Sequence, residues 1–86
     1  MRAVNDAYCH LRKAKRALYR KLMALELGEI ESAHLTNRFV WGKFPDARGR
    51  LLAHLPDASP LLDQIDDRRR GYESARMMCL AQLRKA

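Results

Sequence analysis

A run of apolar residues at helical spacing, between Val4 and Leu27, most constrains what this chain can fold into. At about 100° per residue, its apolar side chains fall within about 80° of one another around a helix axis. The residues on this stripe are Val4, Ala7, Leu11, Ala14, Leu18, Leu22 and Leu25. The pattern predicts an amphipathic helix over residues 4–27 that buries one side against the rest of the fold.

The same predicted helix carries a positive face opposite its apolar stripe. Residues 12–21 contain six basic side chains and no acidic one. Four of them project away from the stripe, and Lys15 and Lys21 lie on its flanks; the four are Arg12, Lys13, Arg16 and Arg20. One helix is therefore expected to combine a buried face with a surface that attracts anions.

Three further helices are predicted, and Gly28 is expected to end the first helix in a left-handed conformation. Residues 29–41 predict a short helix whose inner face includes Ile30, Ala33 and Val40. Residues 46–55 predict another short helix, because Pro56 ends the pattern.

The last helix has the clearest start, with Ser59 as a cap and Pro60 in the first turn. Its apolar face, flanked by Leu62 and Leu80, is Leu61, Ile65, Tyr72, Ala75, Cys79 and Leu83. Arg68 falls inside this face, where it can extend outward, pair with an acid or mark a docking site.

The predicted fold is therefore an all-α bundle in a single domain, residues 1–86. Two long antiparallel helices, about residues 4–27 and 60–85, enclose two short helices between them in the sequence. A chain of 86 residues has little core in which to build a deep substrate cavity, so we expect a binding protein and no enzyme.

The net charge of +7 is concentrated at the ends of the chain, with +5 in residues 1–27 (seven basic and two acidic side chains). Such a charge favours nucleic acid or an acidic protein surface as the partner. No apolar segment has the length of a signal peptide or a membrane span, so we expect a cytoplasmic protein that binds no membrane. Two cysteines, Cys9 and Cys79, are expected to remain reduced.

The candidate binding residues come from two segments. Cations on the first helix can contact successive phosphates, and a second segment, residues 37–44, places basic residues between aromatic ones. The full set is Arg12, Lys13, Arg16, Arg20, Lys21, Arg38, Trp41 and Lys43. A chain this small also needs aromatic side chains in its core, so at least two of Phe39, Trp41 and Phe44 are expected to be buried. An exposed Trp41 would instead indicate an interface.

Other motifs carry weaker signals. The arginines at positions 68–70 follow three aspartates, which predicts ion pairs within the helix, such as Asp66 with Arg69 and Asp67 with Arg70. A helix-turn-helix with residues 46–55 as its reading helix is disfavoured by Gly49. The histidines and cysteines lack metal-ligand spacing, and no phosphate-binding glycine loop occurs, so no metal or cofactor is expected.

The sequence thus predicts a small basic protein that binds nucleic acid or a nucleoprotein through the positive face of the first helix. The alternative is a protein-interaction module, such as an adaptor, accessory subunit or small inhibitor, that docks on an acidic or nucleic-acid-binding protein. Self-association through the long apolar faces stays open.

Overall fold

The computed structural model describes residues 2–41 and 45–85, and these form four helices. Their bounds are α1 (Arg2–Met23), α2 (Glu29–Val40), α3 (Ala47–His54) and α4 (Ser59–Lys85). No described residue lies in a strand. The predicted all-α architecture, with two long helices and two short ones between them, is confirmed.

The two long helices pack against each other in antiparallel orientation. The rings of Tyr8 and Tyr72 have centroids 5.6 Å apart. The Arg68 guanidinium donates a hydrogen bond of 2.9 Å to the carbonyl oxygen of His10. Later residues of α1 therefore contact earlier residues of α4, which is the order expected for antiparallel helices. Arg68, which the sequence placed inside the apolar face, spans the helix pair to a backbone acceptor, and its partner is not a carboxylate.

The end of α1 differs from the prediction. The helix stops at Met23, before the expected end at residue 27, and a turn follows in which Glu26 has a left-handed φ of 63°. Leu25 consequently leaves the apolar stripe and is 42% exposed. Gly28 does have a positive φ, 86°, but it lies immediately before α2. Its carbonyl accepts the Ser32 N–H at 3.1 Å, so Gly28 begins α2 and does not end α1.

The core lies where the second half of α1 meets α2, α3 and the beginning of α4. Four residues of the predicted α1 stripe form one side of it, and the helix-like spacing of leucines in this segment explains their burial. The buried hydrophobic residues are Leu11, Ala14, Leu18, Leu22, Leu35, Phe39, Val40, Ala47, Leu51, Ala58, Leu62 and Ile65.

The buried face of α2 is only partly the predicted one, because Val40 is buried as expected. Ile30, expected to point inward, is 87% exposed. The residues that face the core are Ser32, Leu35, Thr36, Phe39 and Val40. Two of these are polar, and the Thr36 hydroxyl donates a 2.7 Å hydrogen bond to the carbonyl of Ser32, which makes its burial tolerable.

The far part of α4 is less buried than predicted. Only Leu62 and Ile65 of this helix are buried, so Leu62 belongs to the core although the sequence placed it on the flank. Leu80 and Leu83, assigned to the apolar face or its border, are 46% and 66% exposed. The molecule is elongated, 49 × 22 × 21 Å. Tyr8 of α1 contacts Tyr72 of α4. Because the helices are antiparallel, Arg2, six residues before Tyr8, lies level with residue 78, six residues after Tyr72. Leu83 therefore extends past the start of α1.

None of the helices, over the part of the chain that the structure describes, combines the length and apolar content required to cross a bilayer.

Candidate nucleic-acid interface

The positive face of α1 is open to solvent, and no described carboxylate neutralises it. Seven basic side chains lie on this helix, and none of them forms a salt bridge within 4.0 Å to a described carboxylate. The five of these that the sequence proposed as binding residues are all exposed: Arg12, Lys13, Arg16, Arg20 and Lys21. Their charges are therefore available to an external anion.

Four arginines of α3 and α4, in contrast, pair with carboxylates. Arg48 contacts Asp63 at 2.8 Å and Asp66 at 3.4 Å, and it also donates to the Ser59 hydroxyl at 3.1 Å. Arg50 pairs with Asp46 at 3.0 Å. These two arginines would be the cations of a helix-turn-helix reading helix, and because carboxylates already neutralise them, that alternative loses its basic contacts.

Arg69 closes the end of α2. Its guanidinium donates to the carbonyls of Phe39 at 3.0 Å and Val40 at 3.3 Å, and pairs with Asp66 at 2.6 Å. The pairing of Asp66 with Arg69 and of Asp67 with Arg70 (3.8 Å) confirms the ion pairs predicted within α4. Arg69 stabilises the helix terminus that precedes Trp41, since helix carbonyls at a C-terminus have no intrahelical donor.

A groove lies between α1 and α2 and has a volume of about 240 Å³. Three cations and three aromatic residues line it, together with apolar side chains and the polar residues Thr36 and Asn37. The cations are Arg12, Lys15 and Arg16, and the aromatic residues are Tyr8, Tyr19 and Trp41. No carboxylate is among its described lining residues, so the groove is both positive and aromatic.

Helix geometry explains how α1 builds its side of the groove. Tyr8, Arg12, Lys15 and Tyr19 follow each other at intervals of four, three and four residues, which places them in one row along the helix. Arg16 lies next to this row, about 40° farther around the axis than Arg12. The row therefore places two cations, Arg12 and Lys15, between two tyrosine rings along the groove.

Trp41 closes the groove from the end of α2. It is 41% exposed, its ring packs edge-on against Tyr72 at a centroid distance of 6.4 Å, and the Lys15 Nζ lies 6.0 Å from its ring centroid. Of the three aromatic residues expected to fill the core, Phe39 is buried, Trp41 is not, and Phe44 lies outside the described residues. An exposed Trp41 is the arrangement expected if residues 37–44 form an interface.

The structure brings together three of the residues proposed from the sequence, Arg12, Arg16 and Trp41. Lys13 and Arg20 lie within about 60° of Arg16 around the axis, beside the groove, whereas Lys21 is about 180° from Arg12 and faces away from it. Arg38 is half-buried on α2 and is not part of the lining. Lys43 lies outside the described residues.

Sequence reasoning did not assign Tyr8, Lys15, Tyr19 or Asn37 to the site. The regular spacing of the first three on α1 was a usable signal. No sequence signal placed Asn37 or Trp41 beside them, because that contact depends on how α2 packs on α1.

The described residues contain no group of three or more His, Cys, Asp or Glu side chains that could hold a metal ion. Cys9 and Cys79 are not joined by a disulfide.

Comparison of the chain with protein-family models, curated proteins and solved structures finds no match in any of the three. The geometry of the groove and of the positive face is therefore the basis for a functional proposal.

Proposed function

We propose that this protein binds nucleic acid through the positive face of α1, and that it acts by binding and not by catalysis. The observation that carries the proposal is the contrast in pairing. The cations of α1 have no salt bridge to a described carboxylate and six of them fall within residues 12–21, whereas Arg48, Arg50, Arg69 and Arg70 all have one. Cations that are not paired with a described carboxylate attract the phosphates of a nucleic acid backbone and release its counterions on binding.

The arrangement suits a repeating anion. Arg12, Arg16 and Arg20 recur at intervals of four residues, so they span about 12 Å along one side of the helix. Lys13 lies beside them, within about 60° of Arg16. A linear array of positive charge contacts several phosphates of one strand, which gives affinity with little dependence on sequence.

The test is a fluorescence anisotropy titration with labelled oligonucleotides. Binding is expected to weaken strongly between about 50 and 200 mM salt. Replacing Arg12 and Arg16 together by glutamine is expected to reduce affinity about tenfold or more at low salt and to flatten the salt dependence by about 1.4 in logarithmic slope.

The matched control replaces Arg76 and Arg84 by glutamine, which removes the same charge from α4. These two arginines also have no salt bridge to a described carboxylate, so the control tests whether position at the groove matters. Neither arginine lines the groove, and Arg84 is twelve residues beyond Tyr72, about 18 Å along the helix. This variant is expected to bind almost as the parent protein does. Absence of binding at low salt, or equal losses in the two double variants, would contradict the proposal.

A second candidate function is favoured by the exposure of Trp41. Exposed tryptophan in an apolar groove is typical of protein interfaces, and an adaptor or inhibitor that docks on an acidic protein would use the same cations. Competition with polyglutamate separates the two. Displacement of the oligonucleotide by polyglutamate at equal charge concentration would favour an acidic protein as the partner.

A further inference from the structure

The aromatic residues of the groove are not needed for phosphate binding. Cations alone supply affinity for a nucleic acid backbone, yet Tyr8, Tyr19 and Trp41 lie among them in a concave site. Aromatic rings interleaved with cations are typical of proteins that bind single strands, because each base can stack on a ring while the backbone follows the charges.

We infer that the groove between α1 and α2 receives a single-stranded segment of nucleic acid, with an unpaired base against Trp41 and the adjoining phosphates at Arg12 and Arg16. This inference rests on the proposed function and adds to it the form of the nucleic acid and the position of a base. It commits to a single strand because the base pairs of a duplex present only their edges in the grooves, and their faces are stacked on each other.

The surroundings of Trp41 suit stacking. The Tyr72 ring meets the Trp41 ring at an interplanar angle of 64°, an edge contact that supports the indole without covering it in parallel. The Lys15 ammonium, at 6.0 Å from the ring centroid, is at the outer limit of a cation–π contact. A base that displaces Lys15 from the ring therefore sacrifices little, and the ammonium can turn to a phosphate.

The size of the groove limits what it can enclose. Its volume of about 240 Å³ is below the range of about 300–1,000 Å³ that is usual for sites that enclose a whole small ligand. A single base with its sugar and phosphates outside requires less space than a complete cofactor. Asn37, the one amide among the described lining residues, carries both a donor and an acceptor of the kind that can bond the edge of a base.

Four ligands test the inference with the unmodified protein. They are a deoxythymidine oligomer of about ten nucleotides, an abasic oligomer with the same backbone, a duplex of equal length, and polyglutamate. Trp41 is the only tryptophan, so its intrinsic fluorescence reports on the groove directly. The thymidine oligomer is expected to quench it and to bind about tenfold more tightly than the abasic oligomer. The duplex and the abasic oligomer are expected to leave the fluorescence nearly unchanged.

Two substitutions at one position add a control for folding. Trp41→Leu is expected to reduce affinity for the thymidine oligomer about tenfold, to the level of the abasic oligomer. Trp41→Phe keeps an aromatic face and is expected to retain most of the affinity, measured by anisotropy. Circular dichroism melting of both variants shows whether each is folded.

The outcomes separate this inference from the proposed function. If thymidine and abasic oligomers bind equally and with steep salt dependence, the proposed function stands and the base site is wrong. Tighter binding of the duplex than of the single strand also overturns the base site. If no oligomer binds at low salt, or if polyglutamate binds as tightly as they do, both proposals are wrong.

Discussion

Two groups of arginines in this small protein have opposite relations to its carboxylates. On α3 and α4, Arg48, Arg50, Arg69 and Arg70 pair with aspartates at positions 46, 63, 66 and 67. On α1, no basic side chain pairs with a described carboxylate. The overall charge of +7 does not reveal this difference, because it counts both groups alike.

The comparison teaches that position relative to the acids, more than the number of cations, separates structural from binding arginines. Arg69 is surrounded by acceptors on two helices, and its side chain is only 17% exposed. Six of the seven α1 cations are exposed, and Asp6 is the single acidic residue within this helix. Loss of a paired arginine should therefore reduce stability, and loss of an α1 arginine should reduce binding.

The largest effect on stability is expected for Arg69→Met. Met preserves much of the packing of the side-chain stem but leaves the carbonyls of Phe39 and Val40 without this donor and weakens the pairing of Asp66. The free energy of unfolding, measured by urea denaturation, should fall by about 2 kcal/mol. Oligonucleotide affinity, measured well below the denaturation midpoint, should stay within about twofold of that of the parent protein. A decrease in the free energy of unfolding of under about 0.5 kcal/mol would contradict a structural role for Arg69.

A smaller loss is expected for Arg48→Gln. Arg48 links α3 to Asp63 and Asp66, but its side chain is 35% exposed and that of Asp63 is 65% exposed, so solvent screens the pairs. The free energy of unfolding should fall by about 1 kcal/mol. A double-mutant cycle with Asp63→Asn should give a coupling of about 0.2–1 kcal/mol, and no measurable coupling would show that the contact is not formed in solution.

The smallest loss is expected for Arg50→Gln. Its pair with Asp46 joins positions i and i+4 on the surface, with side chains 58% and 61% exposed. The decrease in unfolding free energy should be about 0.3–0.5 kcal/mol and should disappear at high salt. A loss that persists at high salt would contradict a screened surface pair.

For the arginines of α1, the expected change in the free energy of unfolding has the opposite sign. Arg16 lies four residues from both Arg12 and Arg20, and like charges at this spacing destabilise a helix. Arg16→Gln should therefore raise the free energy of unfolding by about 0.2–0.5 kcal/mol at low salt while it weakens oligonucleotide binding. A decrease in both stability and binding would place Arg16 with the structural arginines, and the comparison would fail.

The sequence predicted the parts of the fold that depend on regular apolar spacing. Leu11, Leu18 and Leu22 are buried as the stripe on α1 required. The buried face of α2 could not be found in the same way, because Ser32 and Thr36 occupy two of its inward positions. A buried hydroxyl such as that of Thr36, which donates to the Ser32 carbonyl, leaves no trace in an apolar pattern.

One part of the candidate site could likewise be predicted from the sequence and another part could not. The exposed cations of α1 could be predicted, since they follow from the helix and from the position of its apolar stripe. The groove could not be predicted, because its shape depends on how α2 packs against α1 and on where this packing places Trp41. The early end of α1 at Met23 also depends on a backbone conformation at Glu26 that few non-glycine residues adopt.

The long helix α4 passes from a packed environment to an exposed one without interruption. Its first part contains Leu62 and Ile65, which are fully buried, and its last part carries Met77, Met78 and Leu83, which are about two-thirds exposed. Fraying of such a helix begins at its outer end and requires progressively more energy toward the core. Amide hydrogens should consequently exchange fastest near Lys85 and slowest before Tyr72, so that one continuous helix contains a gradient of local stability.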